Sequence, residues 1–382
     1  MIERIINIRL DGGANTQEYI LDQSNLAKLR QVRGDLMESD SARLDLGNGL
    51  LLHSKFTGIR DLFNSGNATI IRNISYPNPN QSHFVSTDII HEGKELESST
   101  RGSGVLKGTF EEGGWFGRHL ERNHPAYPVG YPNQEDPHPL SMSIDYNQHD
   151  ATIAEKANFD YATPNPAQAA ATIIGATDTR AADSIGRAAD YIIQTKSKRN
   201  AYNNVVKSIY DTGVNNVTYQ GDTFNKRCAY IARQINSGAE TVMYNVRLGG
   251  FDTHSSQVAV LPGLLTQLNN GITSMVDDLE ASGKLSTTVI LVYTEFGRTL
   301  RSNASAGTDH GVAWDTFIVG PTTLIGSNQV IGTAYSFDPT TMSSGTAVDM
   351  QYDFRDVYAT ILKKGFGASI SASGINNLLV QQ

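Results

Sequence analysis

Cysteine is nearly absent: Cys228 is the single one in 382 residues. One thiol excludes an intrachain disulfide framework and any cysteine-based zinc site. Its place in a helical-looking segment predicts a buried structural thiol. Long hydrophobic runs are missing as well. No apolar stretch reaches the roughly 18 residues that a transmembrane helix requires, so no membrane span is expected. Basic blocks are missing too. The 31 Lys and Arg against 39 Asp and Glu give a net charge of −8, which argues against nucleic acid as a partner. No signal peptide is legible, since Met1-Ile2-Glu3-Arg4 leads straight into a strand. The sequence as given predicts a cytoplasmic chain, or a periplasmic or secreted one if a leader was removed. There is no full dinucleotide fingerprint after Gly12-Gly13, no phosphate-binding P-loop and no G-x-S-x-G elbow.

What is present is globular: 39% hydrophobic and 18% charged residues. The length suits one large α/β domain with insertions. Residues 287–293 form a near-continuous β-branched run, as expected of a strand covered on both faces. The run ends in Glu295-Phe296-Gly297-Arg298, and a polar loop carries Asp309-His310 into a second apolar strand at 316–319. Residues 2–10 predict a first strand closed by Asp11-Gly12-Gly13, and 240–247 a further strand followed by Gly249-Gly250-Phe251-Asp252-Thr253-His254. Glycines at such turns let a ligand approach the backbone, although Asp-Gly is also an ordinary turn dipeptide.

Between these lie a helix at 56–64, a strand at 68–74 and a helix at 85–92. Ser82 then stands at a helix N-terminus. It reads either as an N-cap or as a nucleophile favoured by the helix dipole; His83 beside it can bind or cap. A Gly/Ser-rich mobile loop is expected at 94–108, and a short helix with an aromatic anchor at 113–122. His124 and His138 read as surface residues. Residues 150–240 read as a helical insertion or cap, with helices at 181–195, 198–210 and 223–235. A long helix at 257–282 and an amphipathic one at 352–364 complete the pattern.

Three sheet-end turns and one loop thus gather Asp11, Asp252, His254, Glu295, Asp309 and His310, all oxygen or imidazole donors. They suit one or two divalent ions (Zn, Mn, Ca or Mg), which at about 4 Å separation polarise a phosphoryl or sulfuryl group. Arg298 beside them is placed to hold an anionic oxygen bidentately.

The phrases LDGGAN (10–15), QSHF (81–84), GGWFGRHL (113–120), GGFDTH (249–254), TEFGRT (294–299), GTDHG (307–311) and DFRDVYATIL (353–362) resemble a large bacterial family of uncharacterised proteins. That family is usually exported by the twin-arginine route and is grouped with the alkaline phosphatase/sulfatase superfamily. The resemblance implies a mostly parallel central sheet flanked by helices, in a single domain over 1–382. It implies that Asp11 matches the first-strand metal ligand, Ser82 the nucleophile, Asp252 and His254 a second-metal pair, and His310 the final ligand. Glu295-Phe296 falls where Asp-His is expected, so His83 or Asp309 has to supply the missing donor. The expectation is a metal-dependent hydrolase of phosphate or sulfate esters, acting on a small anionic ester or a polysaccharide. The rival expectation is a metal-stabilised binding or assembly protein with a degenerate site. A homo-oligomer is compatible with either.

Overall fold

The structure, a computed structural model, describes residues 2–47, 49–93, 113–169, 199–326 and 329–368. The expected loop at 94–108 and helix at 181–195 lie outside the described residues. Nine strands form one sheet: β1 (Arg4–Asp11), β2 (Ala68–Ser75), β3 (Ser141–Ser143), β4 (Asp160–Ala162), β5 (Met243–Gly249), β6 (Thr288–Thr294), β7 (Trp314–Val319), β8 (Val330–Ile331) and β9 (Tyr352–Asp353). Their order is β8-β2-β7-β6-β1-β5-β3-β4, with β9 also pairing β2. Every pairing is parallel except those of β7, which runs against both β6 and β2. A small antiparallel sheet of Ile20–Asp22, Leu44–Asp45 and Leu50–Leu52 stands beside it.

The β-branched composition of β6 follows from its place. All seven of its residues are buried, because helices cover both faces of the sheet. Ile6, Ile8 and Leu10 point to one face, where Leu265, Leu268 and Ile272 of the helix Gln257–Ala281 meet them. Their spacing of three and four along that helix makes one apolar stripe. The helix Thr223–Asn236 packs on the same side, with Cys228 fully buried in it as expected. Ile5, Leu291 and Tyr293 point to the other face, against Ile89 and Ile90 of the helix His83–Glu92 and Trp115 and Phe116 of Trp115–Asn123. Each such aliphatic side chain contributes about 1.5–3 kcal/mol by leaving water. Among the described residues, no helix is long and apolar enough to cross a membrane.

Residues 150–169 are not helical beyond two single 3-10 turns, and within them β4 extends the sheet. Residues 199–212 are helical. The amphipathic segment at the C-terminal side forms a helix at Phe354–Thr360 that continues as a π-helical turn, Ile361–Gly365.

The topology decides where chemistry can sit. β1, β2, β5 and β6 all end at one edge of the sheet. β7 runs the other way, so its start lies at that same edge. The turns after Asp11, Ser75, Gly249 and Thr294, and the loop before Trp314, therefore come together.

At the far side of the sheet the register sets Ser141 opposite Asp160. The Ser141 and Ser143 hydroxyls donate to the Asp160 carboxylate at 2.7 and 2.6 Å, and the His149 amide donates at 2.9 Å. Burial still pushes the Asp160 carboxyl up to about 6. An acid raised on folding holds a proton that the unfolded chain releases from about pH 4 upward, so this group lowers stability as pH rises from about 4 to 6. Asp160→Asn should therefore be more stabilising at pH 8 than at pH 4, by up to about 3 kcal/mol. Urea unfolding at the two pH values checks this; equal effects at both would show that Asp160 is not the titrating group.

Candidate metal centre

Asp252 is the centre of the converging turns. Its backbone passes so close to β1 that a Cβ on Gly12 would stand 2.2 Å from the Asp252 nitrogen, and Gly12 has φ +121°. Glycine is required there on both counts. Three imidazoles turn their Nε2 atoms toward the Asp252 carboxylate. His254 lies 3.1 Å and His310 3.3 Å from Oδ1, and His83 lies 3.5 Å from Oδ2. The His254 and His310 Nε2 atoms are 2.9 Å apart. Donor atoms of His83, Asp252 and His310 all fall within 4.8 Å of one another.

The other ring nitrogen of each imidazole identifies its tautomer. His83 Nδ1 meets a Glu295 carboxylate oxygen at 2.8 Å, His254 Nδ1 meets Asp309 at 3.0 Å, and His310 Nδ1 meets the Gln81 carbonyl at 2.8 Å. Those oxygens only accept, so each Nδ1 carries the proton and donates it. When neutral, each ring presents an Nε2 lone pair to the cluster; when protonated, its Nε2–H faces the Asp252 carboxylate instead. Histidines that bind metals are held in this manner, by a carboxylate or carbonyl behind them. Two lone pairs at 2.9 Å repel unless a cation or a proton lies between them. Three imidazoles and a carboxylate fit a borderline divalent ion.

The electrostatics agree with the contacts. Burial works against ionisation of Asp252, yet Arg298, His310 and His254 hold its carboxyl below the usual range. Burial also opposes ionisation of Glu295, but His83 and the Gly12 amide at 2.8 Å keep its carboxyl low. The Glu295 bond in turn raises the His83 imidazole.

Several expected ligands sit elsewhere. Glu295 and Asp309 stand behind His83 and His254 and orient them. Asp11 turns to Arg9, with which it pairs closely, and lies 3.5 Å from Arg247. Alternation along β1 is the reason: Arg9 and Asp11 share a face of the sheet, and that face meets the helix His83–Glu92. Ser82 is the N-cap of this helix, partly buried, and its hydroxyl makes no capping bond. Phe296 donates no ligand atom; its ring lies 4.9 Å from the His83 ring and 4.6 Å from the His310 ring, walling the cluster. Gly13 leaves room for it, since a Cβ there would meet that ring at 2.3 Å.

Arg298 differs most from expectation. It is 0% exposed. Its Nε donates to the Gly13 carbonyl at 2.6 Å and its Nη1 to the Thr308 carbonyl at 2.8 Å. Nη2 meets the Phe251 carbonyl at 3.2 Å, Asp252 Oδ1 at 2.5 Å and the Gly12 carbonyl. Enclosed in this way, it positions Asp252 and the turns and does not face an incoming anion.

Beside the cluster lies a cavity of about 520 Å³. The helix residues His83, Thr87 and His91, one turn apart, line one wall; Arg247, Asn245 and His149 line another. His91, His149 and Arg9 did not stand out in the sequence, although the four-residue spacing of His83, Thr87 and His91 on a helix was a usable signal. His124 and His138 are half-buried, 3.6 Å from Asp136 and Glu240 respectively.

Removing Arg298 leaves four carbonyls and a carboxylate without their donor. Arg298→Ala should therefore cost about 3 kcal/mol or more, read as a lower midpoint in denaturant unfolding. A loss under about 0.5 kcal/mol would mean that the turns hold themselves.

The sequence and the fold can be set beside known proteins. No curated protein matches the chain. Among solved structures, it is similar to Ps i-CgsB in complex with k-i-k-neocarrahexaose, at 12% identity and a TM-score of 0.43 over 97% of this chain and 73% of that one. It is similar to a protein in the alkaline phosphatase superfamily from Vibrio parahaemolyticus, at 8% identity and a TM-score of 0.42 over 97% and 71%. It is also similar to alkaline phosphatase from the Antarctic bacterium TAB5, at 10% identity and a TM-score of 0.35 over 96% and 98%. A family model described as "Protein of unknown function (DUF1501)" matches residues 85–368, a span that contains Asp252, His254, Glu295, Arg298, Asp309 and His310. The chain belongs to the DUF1501 family.

Proposed function

We propose that the chain is a metal-dependent hydrolase of phosphate or sulfate esters. The observation that carries this reading is the convergence of three Nε2 lone pairs on Asp252, each fixed by a partner behind its ring. His83, Asp252, His254 and His310 would hold one divalent ion, and the three nitrogens favour zinc over manganese, calcium or magnesium. When bound, such an ion supplies Lewis acidity toward an anionic ester. Glu295 and Asp309 hold the imidazoles in their ligating tautomer. Arg298 fixes Asp252. Ser82 precedes His83 directly, and its hydroxyl is not taken by the helix end, so it is available as the nucleophile. The nearby cavity takes the alcohol portion of the ester.

One observation favours the rival reading of a non-catalytic binding or assembly protein. Asp11 pairs with Arg9 and Arg247, which leaves a single candidate cluster among the described residues where one or two ions were expected.

Elemental mass spectrometry on the purified protein should find about one equivalent of zinc per chain. Asp252→Ala and His310→Ala should lose it. Glu295→Gln and Asp309→Asn should weaken metal affinity about 10- to 100-fold. With aryl phosphate and aryl sulfate esters, Ser82→Ala should retain the metal and lose on the order of 10³-fold or more in kcat. Metal bound normally with no turnover of either ester would move the assignment to the rival reading. Protein that stays metal-free in zinc and in manganese would end both.

A further inference from the structure

The cavity has two ends, and the second is chemically unlike the first. The helix His83–Glu92 runs along it from the metal cluster to His91. Eight residues of helix separate the two histidines by about 12 Å. At the far end Tyr293 joins two imidazoles: its hydroxyl lies 3.1 Å from His149 Nε2 and 3.2 Å from His91 Nε2, and those rings are 4.2 Å apart.

The proton positions follow from the partners. His149 Nδ1 accepts from the Ala151 amide, so His149 Nε2 carries the proton and donates to Tyr293. Arg9 Nη1 points at His91 Nε2 from 3.4 Å and only donates, so that nitrogen accepts, and the His91 proton sits on Nδ1. His91 is 3% exposed, and its Nδ1 finds no hydrogen-bond partner among the described residues. Its nearest carboxylate, Asp150, is 3.7 Å away. A buried N–H donor without an acceptor costs free energy unless a ligand or water meets it. Burial and the neighbouring Arg9 keep this ring neutral.

Charge restricts what can enter. The cations here, Arg9 and Arg247, are engaged by Asp11 and Asp145, with Arg247 Nε 2.6 Å from Asp145. Asp88 and Asp150 line the same space. Four carboxylates thus face two guanidinium groups, a poor setting for a second anionic group. The remaining polar lining is amide and hydroxyl: Asn147, Gln148, Asn245 and Ser143. Tyr146, between two lining residues of this end, is 80% exposed. An exposed aromatic face beside amides and carboxylates suits a ring with apolar C–H faces and equatorial hydroxyls.

We infer that this far end is a sugar subsite, which recognises the uncharged polyol part of an ester whose single anionic group lies at the metal cluster. The inference rests on the hydrolase reading for the orientation of the ester, but sugar binding itself does not require turnover. It selects esters of neutral sugars over nucleotides, polyphosphates and densely sulfated chains.

Saturation-transfer NMR on the full chain tests it with methyl galactoside, methyl glucoside and methyl mannoside, none of which carries an ester. Inorganic sulfate, choline chloride and cyclohexylmethanol serve as anionic, cationic and apolar controls. At least one glycoside should bind, and Tyr146→Ala and Asn147→Ala, both at exposed positions, should weaken it about threefold to tenfold. Failure of all three glycosides to bind overturns the inference, whether or not choline or cyclohexylmethanol binds, as does glycoside binding that neither variant weakens. Turnover of aryl esters is measured in parallel. Turnover without glycoside binding removes the subsite alone, and glycoside binding without turnover removes the hydrolase alone.

Discussion

One buried guanidinium group holds the edge of the sheet together. Arg298 lies where β6 has just ended, and it reaches the carbonyls that follow β1, the carbonyl of Phe251 after β5, and Thr308 before β7. A cation withdrawn from water has to be surrounded by acceptors. Here the acceptors are backbone carbonyls, so satisfying the charge also fixes three turns relative to one another. The two glycines after Asp11 are what allow those turns to come so close. The carboxylate of Asp252 is held by the same group. The imidazoles then take their places around a carboxylate that is already fixed.

Much of this was legible in the chain. The buried strands announced themselves by β-branched runs, and their ends by glycine turns that carry acids and histidines. Asp252, His254 and His310 were read correctly as neighbours, because each follows or precedes a central strand at the same edge. The helices at 257–281 and 223–236 were legible from their apolar spacing. The direction of β7 was not, because a short apolar strand reads the same both ways.

The errors of detail have a common physical cause. Sequence places a residue at the end of a strand but does not say which face its side chain takes. Arg9 and Asp11 differ by two positions and so share a face, where they neutralise each other. Glu295 and Asp309 lie beside the cluster in sequence, yet a carboxylate that grips an imidazole N–H is equally at home one layer behind. Arg298 illustrates the same point in the opposite sense. A charged residue at a site edge was read as a holder of an anionic oxygen, and it is among the most deeply buried side chains. Phe296 looked like a missing ligand; it is a wall of the pocket that holds the rings apart from solvent on one side.

The reversed strand has a consequence for how the molecule comes into being. Because β7 follows His310 from the late part of the chain, the three imidazoles around Asp252 come from positions 83, 254 and 310. Apart from Asp252 and His254, which are two residues apart, these side chains meet only once strands far apart in the chain have paired. Contacts of such long sequence separation form late and slowly. During synthesis, therefore, no emerging stretch of this polypeptide carries the completed cluster, which assembles only in a chain whose sheet is already closed.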